Sequence, residues 1–161
     1  MTFLRSPYWL ALIIPSALLG GALISQYAFG LYPCEMCMWQ RWPHLAAIIF
    51  AVLGIMFNQV RGSKKMIALA ALAILTSGLI GGFHAGVEYG WWEGITTCAT
   101  APAAGGDILD SIMNAPLVRC DVAPWSLFGI SLAGFNFLFS TGGAILIFVL
   151  LAIRPEDKTD G

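Results

Sequence analysis

The chain has 161 residues, of which 58% are hydrophobic and only 11% charged, with a formal net charge of −1. A soluble domain carries about a quarter charged residues, so this composition excludes an ordinary water-soluble globule. The near-zero net charge likewise gives no basic surface for nucleic acid.

A span needs roughly 20 mostly apolar residues to cross about 30 Å of hydrocarbon. Four stretches meet that requirement, at about 8–29, 42–60, 66–87 and 127–153. Helices are expected, because isolated strands would leave backbone groups unpaired in lipid. The first stretch follows Arg5 like a secretion signal, but its apolar run exceeds the ~7 to 15 residues of a signal's core, so it is expected to stay in the mature protein. Pro15 predicts a kink in it. The expected fold is therefore an all-α membrane protein, a single four-helix transmembrane bundle over residues 1–161.

Basic residues orient it, because short cytoplasmic loops are rich in Lys and Arg. With both termini inside, Arg5, Arg61, Lys64, Lys65, Arg154 and Lys158 are cytoplasmic, and Arg41 and Arg119 alone lie outside. The external loops then run over about 30–41 and 89–126, and all four cysteines fall within them. Disulfides persist on that side of a membrane and are rare in most cytosols.

The first cysteine pair is Pro33-Cys34-Glu35-Met36-Cys37, where a loop enters the second helix. Cys-x-x-Cys geometry and a helix N-terminus both favour the thiolate. Arg41, four residues after Cys37, shares its face if the helix has begun, and a permanent cation there stabilises a thiolate or an anion forming on a bound oxidant. Glu35, if turned toward the sulfurs, opposes this by like-charge repulsion. Pro43 disfavours helical geometry at Trp42, which leaves two helix starts open, one at the cysteines and one at Pro43.

The second pair, Cys98 and Cys120, brackets a Pro-, Gly- and Ala-containing loop. Within it Asp107 can cap a short helix with Ile108, Leu109, Ile112 and Met113 on one face, suited to lie along the membrane surface. Elsewhere Ser77 with Gly81, and the series Gly78, Gly82 and Gly86, space small residues four apart for close helix approach. His84 is an intramembrane ionisable residue and so a functional suspect, with a packing hydrogen bond as the plainer alternative. Glu88 reads as an interfacial charge. Trp39, Trp42, Trp91, Trp92 and Trp125 gather at the external helix ends, as interfacial anchors do.

The run Pro33-Cys34-Glu35-Met36-Cys37-Met38-Trp39-Gln40-Arg41-Trp42-Pro43 resembles the signature of the bacterial disulfide bond formation protein B (DsbB) family. The likeness extends to Gly82-Phe83-His84-Ala85-Gly86-Val87-Glu88, Gly90-Trp91-Trp92, Arg119-Cys120-Asp121 and Pro124-Trp125-Ser126-Leu127-Phe128-Gly129. The resemblance implies a protein-dithiol:quinone oxidoreductase of the bacterial inner membrane that sustains disulfide formation in secreted proteins. A periplasmic thioredoxin-fold oxidase, DsbA-like, would dock on the second periplasmic loop and form a mixed disulfide with Cys98. Cys120 would exchange with the Cys34–Cys37 pair at Cys34, and Cys37 would meet ubiquinone or menaquinone as a thiolate. Arg41 and His84 match residues placed around the quinone headgroup, and no metal is implied. Glu35 and the compact second loop depart from better-known members.

Three other readings compete. A vitamin K epoxide reductase-like protein uses similar logic but usually places its Cys-x-x-Cys near a later helix. Four thiolates could hold one zinc, and a plain membrane anchor could carry structural disulfides.

Overall fold

The computed structural model describes residues 7–57, 62–96, 99–100 and 117–153. Four helices make up most of it: α1 (Pro7–Phe29), α2 (Glu35–Met56), α3 (Ser63–Glu88) and α4 (Leu132–Ile153). Between α3 and α4 the chain forms two small antiparallel ladders. One joins β1 (Ala99–Thr100) to β2 (Leu117–Val118), pairing Ala99 with Val118, and the other joins β3 (Ser126–Leu127) to β4 (Ile130–Ser131). The amphipathic helix expected from Asp107 and the cysteine Cys98 both lie outside the described residues.

α1, α3 and α4 are each long and apolar enough to cross a membrane. α2 has comparable length, 22 residues, but carries Gln40, Arg41 and His44 in its first half. α3 is the central element, packed along α2 on one side and α4 on the other, while α1 closes against α2 and α4. The interior combines small side chains, among them Ala11, Ala47, Ala51, Ala70, Ala71 and Ala144, with Ile67, Ile74 and Ile147, whereas other large residues such as Ile49, Leu79, Leu138 and Phe139 face outward. In lipid no hydrophobic drive sorts apolar residues inward, and close packing of small residues supplies the contact instead.

The glycine series lies at these contacts. A Cβ on Gly78 would sit 2.7 Å from Thr141 Oγ1 and 3.0 Å from the Thr141 backbone nitrogen of α4, and one on Gly82 would meet the Phe137 ring at 2.7 Å. Gly86 approaches an indole instead, that of Trp92. Trp92 stacks on Phe83 and donates its Nε1–H to the Phe83 carbonyl.

Local chemistry sets the helix ends. Cys34 has extended backbone and its sulfur accepts the Cys37 N–H, which starts α2 at Glu35; Glu35 in the first turn suits the positive end of the helix dipole. The helix runs through Pro43, whose ring removes only one interior hydrogen bond. Of the two starts left open by the sequence, the one at the cysteines is realised, and Cys37 to Arg41 are helical. α3 stops at a left-handed Gly90 (φ +70°), with Gly90 N–H bonded to Val87 O and Trp91 N–H to Gly86 O, the pairing of a Schellman cap.

α4 begins at Leu132 rather than at 127 as hydropathy suggests. The cause is the β3–β4 hairpin, whose two turn residues Phe128 and Gly129 have φ of 51° and 78°. Two positive φ values make a tight hairpin turn that matches strand twist and cannot continue a right-handed helix. The Tyr89 hydroxyl pins this hairpin over the end of α3, donating to Gly129 O and accepting from Ser131 N–H, each at 3.1 Å.

Gly78→Ala is expected to destabilise the bundle by about 1 to 3 kcal/mol, because the obstructing atoms include α4 backbone. A lowered thermal midpoint in detergent, beside little change for the outward-facing Leu79→Ala, checks this; no loss for Gly78→Ala would refute the close α3–α4 approach.

Candidate active site at the cysteine end of the bundle

Capping α2 with a cysteine brings the first pair together. Cys34 Sγ–H donates to Cys37 Sγ at 3.1 Å, while the Cys37 backbone N–H points back to Cys34 Sγ at 3.3 Å. Cys34 is almost fully buried, packed with Met36, Val87 and Cys120. The hydrogen bond to Cys37, reinforced by burial, holds the Cys34 thiol up to about 12. Its proton is therefore retained at neutral pH, and Cys37 is the sulfur that accepts.

The second loop delivers Cys120 to the same place. Its sulfur, that of Cys34 and a ring nitrogen of His84 all lie within 4.8 Å of one another. Thr96 Oγ1 donates to Cys120 Sγ at 3.2 Å, and burial pushes this thiol up as well. Arg119 and Asp121 flank it as an exposed ion pair, with Nε to Oδ1 at 2.8 Å.

His84 reaches this cluster from α3 in a defined tautomer. Gln40 Nε2 donates to the Met36 carbonyl at 3.1 Å, which fixes the orientation of the amide, and lies 2.9 Å from His84 Nδ1. Nδ1 is thus the acceptor and the ring proton sits on Nε2, facing Cys34 Sγ at 3.5 Å. Glu88, read from sequence as an interfacial charge, is buried one turn on, with Oε1 3.8 Å from the same Nε2.

On the other side of Cys37 lies a cavity of about 230 Å³ between α1, α2 and α4. Leu18, Gly21 and Ala22 of α1 give it an apolar wall, and Cys37, Gln40, Arg41, His44 and Asn136 add sulfur and polar groups. Arg41 is tethered across it to α1, donating Nη2 to the Ala22 carbonyl at 3.2 Å and Nη1 to Gln26 Oε1. The guanidinium is thereby held on the cavity wall rather than extended to headgroups.

The family model for the disulfide bond formation protein DsbB matches residues 4–150. The chain belongs to the DsbB family. Among the relatives of DsbB type, disulfide bond formation protein B of Paracidovorax citrulli is 27% identical, covering 90% of each chain. That of Verminephrobacter eiseniae is 31% identical over 84% of this chain and 79% of its own. An uncharacterised protein of Rickettsia prowazekii is 26% identical over 87% of this chain and 83% of its own. No solved structure matches significantly. DsbB membership and the apolar helices make the protein a membrane oxidoreductase of disulfide chemistry.

Of the residues singled out in the sequence, the structure gathers Cys34, Cys37, Cys120 and His84 at one point and sets Arg41 on the adjoining cavity. His84 does not line that cavity; it borders a second one, of about 290 Å³, with Cys34, Cys37 and Val118. Sequence reasoning missed His44 and Asn136, gave Gln40 no role of its own, and read Ser77 only as a small packing residue. Gln40 and His44 stand four apart and so share a helix face, a polar pair inside an apolar span that could have been flagged as readily as His84.

In the reduced protein, removing Cys37 takes away the chief cause of the raised Cys34 value. In Cys37→Ala the Cys34 thiolate is expected to form at lower pH than in the intact pair, moving from about 12 back toward the ordinary thiol range. Ultraviolet thiolate absorbance against pH checks this, and an unmoved or upward-shifted Cys34 titration would contradict the S–H···S assignment.

Proposed function

We propose that this protein reoxidises a periplasmic thioredoxin-fold dithiol oxidase, DsbA-like, and passes the electrons to ubiquinone or menaquinone in the bacterial inner membrane. One observation carries the reading: a cysteine of the second loop meets the Cys-x-x-Cys at its capping sulfur, and the other sulfur of the motif lines an apolar cavity. In this reading both termini are cytoplasmic, the cysteines face the periplasm, and α2 spans with its neighbours.

The exchange chemistry follows from which sulfur can leave. Thiol–disulfide exchange is a thiolate attacking a disulfide sulfur, and the better leaving group is the more acidic thiol. Starting from a Cys34–Cys37 disulfide, the Cys120 thiolate attacks Cys34 Sγ. A Cys34–Cys120 bond forms, the Cys34–Cys37 bond breaks, and Cys37 departs as thiolate beside the cavity. That Cys120 thiolate arises when a partner thiolate attacks Cys98 of a Cys98–Cys120 disulfide: the partner–Cys98 bond forms, the Cys98–Cys120 bond breaks and Cys120 leaves. The partner's second thiol then displaces Cys98, and Cys98 attacks Cys120 to restore the second pair and free Cys34. Overall, the partner dithiol becomes a disulfide as quinone becomes quinol, two electrons and two protons being transferred.

The cavity fits a quinone by its chemistry: a largely apolar chamber with one permanent cation, Arg41, and one reactive sulfur, Cys37, on its walls. A bound quinone supplies the two-electron acceptor. Arg41 holds positive charge where negative charge collects, fixed in advance by its bonds to Ala22 and Gln26. His84 acts on the thiol side, offering its N–H to Cys34. Burial of Cys34 and Cys120 keeps stray oxidants and thiols away from the exchange.

The convergence of Cys34, Cys120 and His84 also favours a second reading, since two thiolates and an imidazole form a zinc donor set. Stoichiometric zinc in the purified protein, with no turnover, would favour it.

Anaerobic mixing with a reduced thioredoxin-fold oxidase and ubiquinone, followed by quinone absorbance, tests the oxidase reading. Quinone is expected to disappear in step with partner oxidation. Cys37→Ala is expected to abolish this, and Arg41→Ala to slow it about a hundredfold, the scale of losing one preorganised electrostatic donor. Full turnover in Cys37→Ala would sink the assignment.

A further inference from the structure

His44 sits on α2 one turn below Gln40, lines the cavity that holds Cys37 and Arg41, and is 3% exposed. Its hydrogen bonds decide which ring nitrogen carries the proton. Asn136 Nδ2 lies 3.1 Å from the backbone carbonyl of Ser77, which can only accept, so that end of the amide is the donor. The opposite end, Asn136 Oδ1, is then an acceptor, and it stands 2.9 Å from His44 Nε2. Ser77 Oγ, also 2.9 Å from Nε2, already donates to the Gln40 carbonyl at 2.8 Å. Both neighbours accept from Nε2, which must therefore bear the hydrogen.

The other nitrogen, His44 Nδ1, is left as a bare lone pair, buried and without a partner among the described residues. A buried unsatisfied acceptor is costly enough to ask for an occupant. Among the other polar groups of the cavity, both Gln40 Nε2 hydrogens go to Met36 O and His84 Nδ1, and Asn136 Nδ2 serves Gln40 Oε1 and Ser77. Glu88, also on the wall, keeps a second buried oxygen, Oε2, without a hydrogen bond among the described residues. The residues of the cavity thus offer a ligand the Arg41 cation and two such unpartnered acceptors, His44 Nδ1 and Glu88 Oε2, of which His44 Nδ1 is fixed as an acceptor by its tautomer.

We propose that His44 Nδ1 accepts a hydrogen bond from the ring hydroxyl of the reduced ligand, making this cavity selective for quinol over quinone. The proposal rests on the quinone reading above. The two oxidation states differ in this respect: a quinone ring presents only acceptor oxygens, which an acceptor lone pair repels, whereas a quinol presents O–H donors. A site that binds the reduced form more tightly raises the potential of the bound couple, which helps withdraw electrons from a strongly oxidising dithiol partner. His44 is in this sense a specificity-determining residue, set by Asn136 and Ser77 on the neighbouring helices. A tenfold preference corresponds to about 30 mV for a two-electron couple.

The test is a pair of dissociation constants rather than a rate. Full-length protein carrying Cys37→Ser, to block electron transfer, is titrated anaerobically by calorimetry with a short-chain ubiquinone and separately with its quinol. His44→Leu is expected to reduce the quinol preference about tenfold, the worth of one buried hydrogen bond, by weakening quinol binding alone. His44→Asn, whose side-chain oxygen can occupy the Nδ1 position, is expected to keep the preference. An unchanged ratio in His44→Leu overturns the proposal. Should His44→Leu bind neither form, His44→Asn decides: a retained preference supports the proposal and a lost one overturns it. Ala22→Trp, which fills the cavity from α1, tests the underlying reading. If it abolishes binding of both forms, the quinone cavity stands whatever His44 does; if it leaves both undiminished, the cavity and the role of His44 fall together.

Discussion

The structure depends on one layer of hydrogen bonds laid across three helices in a medium without water. Gln40 and His44 of α2, Ser77 and His84 of α3, and Asn136 and Ser140 of α4 are all buried and bonded to one another. In hydrocarbon a polar group that loses its partner finds no replacement, so the layer admits one relative height and rotation of α2, α3 and α4. Individual bonds of this kind are worth only about 0.6 kcal/mol on average in a measured membrane protein. The layer therefore contributes more to register than to stability, while the core of alanines with Ile67, Ile74 and Ile147 and the close glycine contacts supply the packing.

Register is what the chemistry requires. The layer sits within about three turns of the α2 N-terminus, so it fixes where the capping sulfur of Cys34 meets Cys120 and His84. It also fixes where Cys37 and Arg41 stand against α1. The two sulfurs of the motif are thereby given different surroundings: Cys34 retains its proton in a buried cluster, and Cys37 borders a cavity. An asymmetric pair of this kind directs exchange, because an incoming thiolate gains most by attacking the sulfur whose partner leaves readily. Arg41, anchored to α1, supplies charge without adding mobility.

Much of this was legible in the sequence. Hydropathy locates the helices because a span is defined by length and apolarity, and Cys-x-x-Cys followed by Arg41 marks the reactive end. Hydropathy misjudged the start of α4, since Ser126 to Ser131 are apolar enough to extend a span, while the left-handed pair Phe128 and Gly129 is a backbone property that transfer energies do not register. The start of α2 was ambiguous because Pro43 weighs against a helix locally, whereas the Cys34 cap and the tertiary bonds of Gln40 outweigh it. The polar layer itself was hidden: Gln40, His44, Ser77 and Asn136 are dispersed over the chain, and only the fold brings them together. The same holds for Glu88, whose burial follows from its neighbours and not from its place near a helix end.

The central claim is that Cys120 of the second loop stands against Cys34 of the first. Mild oxidation of a variant carrying Cys37→Ala and Cys98→Ala, followed by peptide mass analysis, tests it directly. The account predicts a Cys34–Cys120 disulfide within one chain in high yield. Cross-linking only between molecules, or two free thiols in a folded protein, would contradict it.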